Sequence, residues 1–260
     1  MEVNIHSSGF KSLDTLIGGF VEGELVLIGG RPIAGVTQLL VNLAIAFSNK
    51  ASVFYFTPNY LRSGIISRIT SSLSQIPIDR FVQKDFTVKD TKRIAALHSS
   101  NAFNRIHVHD SDTDTLDVLK ALQQTLIEEH KLKFIIIDDL QALCHSMLIS
   151  RFIHELKRIT EGFEVTVIVA TELNQAIDTR RDKTPIMNDL PKCKLLEELS
   201  DKIILVDRPG YYTRAINKEG EIATNLMEII VVKNISGETG TVHLRMDETH
   251  TSIVDPICAM

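Results

Sequence analysis

Gly30-Arg31-Pro32-Ile33-Ala34-Gly35-Val36-Thr37 is the stretch that decides how this chain is read. It matches G-x-x-x-x-G-K-[ST] at every fixed position except one, where Val36 stands in place of lysine. An apolar run, Leu25-Val26-Leu27-Ile28, precedes it and reads as a buried strand; a helical stretch from Thr37 to Phe47 follows. Strand, glycine loop and helix together aim backbone N–H groups and a helix N-terminus at phosphates. Gly30, Arg31, Pro32, Ile33, Ala34, Gly35, Val36, Thr37 and Gln38 therefore form the expected nucleotide-binding set. The scaffold is present and its point charge is missing. A lysine ammonium would have supplied a charge-assisted bond of about 1.5–3 kcal/mol. Its loss weakens ATP or ADP with Mg²⁺ by roughly ten- to a hundredfold.

Outward from this loop, strands alternate with helical patterns, the signature of a mostly parallel sheet covered on both faces. Apolar strand segments are Leu25–Ile28, Val53–Phe56, Ile106–His109, Phe134–Ile137, Val165–Ala170 and Ile203–Val206. Helical faces are expected on Tyr60, Leu61, Ile65, Ile69 and Leu73, on Leu116, Leu119, Leu122 and Leu126, and on Ile149, Phe152, Ile153, Leu156 and Ile159. Met227–Val232 and Thr241–Arg245 flank the turn Ser236-Gly237-Glu238-Thr239-Gly240 and read as an antiparallel hairpin. Asp178–Pro191 reads as a polar, mobile loop. The expected organisation is one domain over residues 1–260.

Composition bounds the function classes. The chain has 260 residues, 44% hydrophobic and 23% charged, ordinary for a soluble globular domain. A net charge of −5 gives no global attraction to nucleic acid, so any such contact needs a local basic patch. No apolar run approaches the roughly 20 residues of a membrane span, and the N-terminus has no signal-peptide pattern. Cys144, Cys193 and Cys258 are odd in number and far apart, which argues for a reducing, cytoplasmic setting and against disulfides and zinc.

Two strand ends carry chemistry. Phe134-Ile135-Ile136-Ile137-Asp138-Asp139 ends in carboxylates, and Asp138 is placed to hold Mg²⁺ through water beside the Thr37 hydroxyl. Val167-Ile168-Val169-Ala170-Thr171-Glu172 carries polar residues at its C-terminal tip, the end at which open α/β sheets bind ligands. Arg208, Tyr211 and Tyr212 follow a strand and read either as neighbours of an adenine or as an ordinary turn with aromatic packing. His107 and His109 share one side of a strand, but no nearby set has metal-ligand spacing. Ser7, Ser8 and Ser200 lack a nucleophile elbow.

Taken in chain order, these features resemble the RecA-like C-terminal domain of DnaB-type replicative helicases. The resemblance rests on Gly9-Phe10…Leu13-Asp14…Gly18-Gly19-Phe20, on the glycine loop, on Phe54-Tyr55-Phe56, on Asp138-Asp139-Leu140-Gln141, on Asp178 to Pro185, and on Glu228–Lys233 with Gly237…Val242. It implies a RecA-like P-loop α/β domain with a mostly parallel sheet, helices on both faces and a C-terminal antiparallel hairpin. It also implies that Arg180, Arg181 and Lys183 face single-stranded DNA and that the hairpin reaches into a neighbouring helicase-type subunit. The family's N-terminal helical collar has no counterpart in this sequence.

Several positions depart from the family pattern. Val36 replaces the lysine. Asn59 stands where the resemblance implies a catalytic glutamate, and Ile235 where it implies an arginine finger. Lys233 is retained. Glu172, where the family has a neutral polar residue, is either a substitute base or a charge that repels the γ-phosphate. The segment between Leu143 and Ile149 is short for a second DNA-facing loop. Three readings follow. The first is a degenerate domain that binds nucleotide weakly with little or no hydrolysis, monomeric or a weak oligomer. The second is an active ATP-dependent helicase subunit with Glu172 and Lys233 as catalytic groups. The third is an interaction protein that binds no nucleotide.

Overall fold

The computed structural model describes residues 4–58, 61–97, 100–110, 122, 124, 132–143, 149–191, 194–212, 225–247, 249 and 252–259. Its centre is a sheet built on β3 (Leu25–Gly30), β4 (Ser52–Thr57), β5 (Ile106–Asp110), β6 (Leu132–Ile137), β7 (Thr166–Glu172) and β8 (Lys202–Asp207). These strands run parallel in the order β8-β3-β7-β6-β4-β5. The antiparallel strands β9 (Leu226–Asn234), β10 (Gly240–Met246) and β11 (Ile253–Val254) extend it beyond β8. A short pair, β1 (Ile5–His6) with β2 (Phe20–Val21), lies apart from it.

Period-two alternation along continuous apolar strands buries both faces. Val26, Ile28, Tyr55, Phe134, Ile136 and Ile168 pack on one side against α1 (Lys11–Ile17), α2 (Val36–Ser48) and α3 (Arg62–Ser74), through residues such as Leu13, Leu43, Phe47 and Ile65. Leu25, Leu27, Phe54, Phe56, Ile135 and Ile137 pack on the other against Phe152, Ile153, Leu156 and Ile159 of the helix Ile149–Phe163. The strand segments expected from the sequence are all present, with ends displaced by one or two residues: β7 begins at Thr166 rather than Val165 and runs on to Glu172, and the others are longer by one or two residues at one end or both.

Three expectations need revision or fall outside the described residues. Leu61 lies not on the buried face of α3 but at its N-cap, in extended conformation, 76% exposed. The helix starts one residue later; Ile65 and Ile69 are buried, Leu73 packs against the same core, and Tyr60 lies outside the described residues. The helix expected on Leu116–Leu126 lies outside the described residues except for Leu122, which is buried. The segment read as a mobile loop, Asp178–Pro191, contains the 3-10 turn Met187–Asp189 and overlaps another, Gln175–Thr179. It is tied together by Arg180, whose guanidinium donates two bonds of 2.8 Å to the buried carboxylate of Asp189 and one of 2.8 Å to the Thr184 carbonyl. A bidentate arginine–carboxylate pair of this kind supplies local order that polarity alone does not suggest.

One pair in the core was not legible from the chain. Lys202, fully buried at the start of β8, donates to the Glu24 carboxylate and, at 3.1 Å, meets the hydroxyl of Ser236 in the hairpin turn. The other Glu24 oxygen accepts the Val21 N–H at 3.1 Å. An ammonium can be buried only with such partners.

Candidate nucleotide site

Because the central strands are parallel, their C-terminal ends gather at one rim, and each contributes there: Gly30 after β3, Asp138 after β6, Glu172 on β7, Asp207 on β8. Gly35 adopts a left-handed conformation (φ 93°) that turns the chain into α2, a backbone state that favours glycine. The N-terminus of α2 has no side-chain cap and no acidic residue in its first turn, so its first N–H groups face the rim without a side-chain acceptor. That is the donor set a phosphate requires. A Cβ on Gly30 would collide with Val36 Cγ2, so the valine side chain folds back over the first glycine of the loop. Ile33 is left-handed too (φ 66°), at a cost of about 1–2 kcal/mol for an L-residue, and its side chain is 63% exposed at the rim.

Arg31 turns inward. It is 4% exposed, donates to Asp207 at 2.7 Å and to Asp178 at 3.3 Å, and lies 3.5 Å from the centre of the Tyr212 ring. Its Nε is buried with no hydrogen-bond partner among the described residues. The Tyr212 hydroxyl donates to the Pro32 carbonyl, and burial pushes its pKa up to about 12, keeping it a donor. Arg208 donates to the Ile33 carbonyl at 3.4 Å. The Arg208-Tyr211-Tyr212 segment thus closes onto the glycine loop itself.

Asp138 is 3% exposed. Its carboxylate accepts from the Thr37 hydroxyl at 3.3 Å and from the Tyr55 hydroxyl at 2.8 Å. Burial pushes its pKa up to about 6, against the opposing effect of those two hydrogen bonds. The native state therefore holds this proton more tightly than the unfolded chain. The associated stability is present in acid and lost as pH rises from 3.8 to about 6. A bound divalent cation would remove that penalty, and the Thr37–Asp138 arrangement fits Mg²⁺. Arg68, from the middle of α3, faces the same carboxylate and lines the cavity of about 340 Å³ between the loop and the strand ends.

Glu172, paired in register with Gly30, also lines this cavity. Its carboxyl is shifted upward by burial and then by the neighbouring Asp139. The Gln141 side chain latches its backbone, accepting the Glu172 N–H at 2.6 Å and donating to the Glu172 carbonyl at 3.0 Å. Arg68 went unnoticed in the sequence, and Tyr55 and Gln141 entered there only as parts of matching segments, with no role in the site. For Tyr55 a signal exists, since a tyrosine inside a buried strand needs a partner for its hydroxyl. Arg68 sits on a helix with nothing local to mark it.

A family model described as DnaB-like helicase C terminal domain matches residues 6–255. The chain belongs to this family. A probable replicative DNA helicase of Trieres chinensis is 26% identical over 96% of the chain, and a replicative helicase DnaB of Mycoplasma pneumoniae is 29% identical over 90%. The chain spans 57% and 53% of those relatives. Among solved structures, a DnaB-like replicative helicase described with its interactions with primase superposes with a TM-score of 0.86 at 24% identity, covering 98% of this chain and 62% of that one. A solved ATPase domain gives 0.85 at 24%, covering 95% and 90%. The fold is therefore RecA-like, as the resemblance implied.

Within this DnaB-like domain the remaining expected residues do not join the cavity. Lys233 pairs in register with Ile203 at the start of β8, the end of the sheet away from the rim. Its ammonium donates to the Glu197 carbonyl at 2.7 Å and the Glu198 carbonyl at 3.3 Å, holding the C-terminus of the helix Lys194–Leu199. Ile235, one turn further, is 65% exposed. Neither residue can reach its own chain's cavity. Asn59 lies outside the described residues, as do residues 144–148 of the shortened loop. Of the expected DNA-facing residues, Arg180 is engaged within its own loop, Arg181 is exposed and Lys183 half-buried. His109 stacks on Phe54 at 4.5 Å. No helix among the described residues is long and apolar enough to cross a membrane.

Proposed function

We propose that this DnaB-like domain is a cytoplasmic regulator or scaffold in DNA replication, repair or mobile-element biology, binding ATP or ADP weakly and hydrolysing it little or not at all. The observation that carries the reading is a phosphate loop whose backbone donors are open while Val36 lies folded over Gly30 where a cation would act. The first-turn N–H groups of α2 would hold phosphate oxygens, and Thr37 with Asp138 would hold Mg²⁺. Mg²⁺, when bound, would neutralise phosphate charge. Arg68, which lines the cavity beside Asp138, would add a side-chain cation at this end, and Arg208 lines the cavity as well; Arg31 is turned to Asp207 and Asp178.

Turnover has little support. A missing general base removes about 10²–10⁴ in rate, and a missing arginine finger about 10³–10⁵. The expected result is no ATPase activity above background with or without single-stranded DNA, and sedimentation as a monomer or weak oligomer. Glu172 favours a second reading, an active helicase subunit, because a carboxyl with raised affinity for protons can accept one. Turnover abolished by Asp138→Ala would establish that second reading. Failure of both ADP and ATP to bind with Mg²⁺ would leave an interaction protein.

Contact with single-stranded DNA would run through Arg181 and Lys183, with Arg180 holding the loop that presents them. About −0.7 per phosphate neutralised gives a slope of log affinity on log salt near about −1.4 for two contacts. Fluorescence anisotropy from low to moderate salt checks this. Salt-insensitive binding, or binding unchanged in the Arg181→Ala, Lys183→Ala double variant, would count against this loop.

A further inference from the structure

Beside the phosphate loop the cavity carries carboxylates on a strand tip whose backbone is tethered on both sides. Glu172 pairs in register with Gly30, the first residue of the phosphate loop, and the Leu173 N–H donates to the Gly30 carbonyl at 3.1 Å. The Gln141 latch holds the same strand tip from the other side through bonds of 2.6 and 3.0 Å. These bonds hold the backbone of the tip beside the loop. Asp138 and Asp139 end the adjacent strand β6, and Glu172 already responds to Asp139 electrostatically. On the loop side, the Val36 methyl fills the space a Cβ on Gly30 would take, and it carries no charge.

The two ends of a bound nucleotide meet different surroundings. In a phosphate loop, backbone N–H groups cradle the α- and β-phosphates, and the lysine reaches the β- and γ-phosphates. Metal held by the loop threonine and the strand-end aspartate bridges β and γ. Replacing lysine by Val36 thus leaves the inner donors of α2 intact and removes the lysine's charge from the outer end; Arg68, beside Asp138, and Arg208 remain as cations lining the cavity. Glu172 adds a carboxylate at that outer end, beside Asp139. Like charges a few ångströms apart in a partly desolvated cleft repel appreciably. A diphosphate ends short of this charge; a triphosphate extends into it.

We infer that Glu172 is a specificity-determining residue that sets this cavity for nucleoside diphosphate over triphosphate. The inference rests on the nucleotide-binding reading proposed above.

Calorimetry or anisotropy on the full chain, with ADP and with a non-hydrolysable β,γ-imido ATP analogue, each with Mg²⁺, tests it. ADP should bind roughly tenfold or more tightly than the analogue. Glu172→Gln removes the charge and leaves the Gln141 latch, which uses only the Glu172 backbone. It should bring the two ligands within about threefold of each other, mainly by improving the triphosphate. Glu172→Ala should do the same and serves as a second variant. Equal binding of both ligands by the unmodified chain, tighter triphosphate binding, or a preference unmoved by both variants overturns this inference and leaves the nucleotide reading standing. Binding of neither ligand overturns both.

Discussion

Val36→Lys is expected to tighten ADP·Mg²⁺ binding by about ten- to a hundredfold, the equivalent of one charge-assisted hydrogen bond. The geometry favours the change. Val36 is only partly buried, and its Cγ2 crowds Gly30. Lysine has a single γ-carbon and a flexible stem, so it can leave that contact and carry its ammonium toward the phosphate donors of α2. The loss of one packed methyl should lower stability by no more than about 0.5–1.5 kcal/mol. Turnover should stay at background, because Asn59 and Ile235 are unchanged. Titration calorimetry on the variant and the unmodified chain measures the gain. No gain in affinity in a folded variant would mean that the loop does not present its N–H groups to phosphate.

Lys202→Met is expected to destabilise the fold by about 3–5 kcal/mol, because it leaves the Glu24 carboxylate buried without its countercharge. Against a typical domain stability of about 5–15 kcal/mol, that is a large fraction. The change also removes the ammonium contact to the Ser236 hydroxyl, which keeps its bonds of 3.3 Å to Glu24 and 3.2 Å to Asn234. Combining Lys202→Met with Glu24→Gln should recover most of the loss. Glutamine carries no charge, and its amide oxygen can still accept the Val21 N–H that Glu24 now accepts. Urea denaturation of the two variants reads this directly through the midpoint at constant slope. A single variant within about 1 kcal/mol of the unmodified chain would show that water reaches the pair.

The contrast between these two residues shows what a sequence carries. Val36 could be singled out because its function depends on local spacing: two glycines and a threonine define where a lysine belongs. The strands were legible for a similar reason. Runs such as Phe134–Ile137 and Val167–Ala170 are too short and too apolar to be anything but buried strands between helices, and their order imposes a parallel sheet. Asp138 was placed at a strand end for the same reason, and the structure sets its carboxylate 3.3 Å from the Thr37 hydroxyl.

Lys202 was invisible because its partner Glu24 lies 178 residues away and no local rule links them. Arg68 facing Asp138, Gln141 latching Glu172, and Arg31 bonded to both Asp178 and Asp207 belong to the same class. Each depends on which side chains the sheet brings to one rim, and period-two alternation says only which face a residue takes, not what it meets there. The pairing of Arg180 with Asp189 is of the same kind, because a guanidinium takes any well-placed carboxylate that tertiary structure brings to it. Local physics wrote the strands, the phosphate loop and its missing lysine into the chain. Charge pairing across the sheet was decided by folding alone, because Coulomb energy depends on distance in space and the sequence records only distance along the chain.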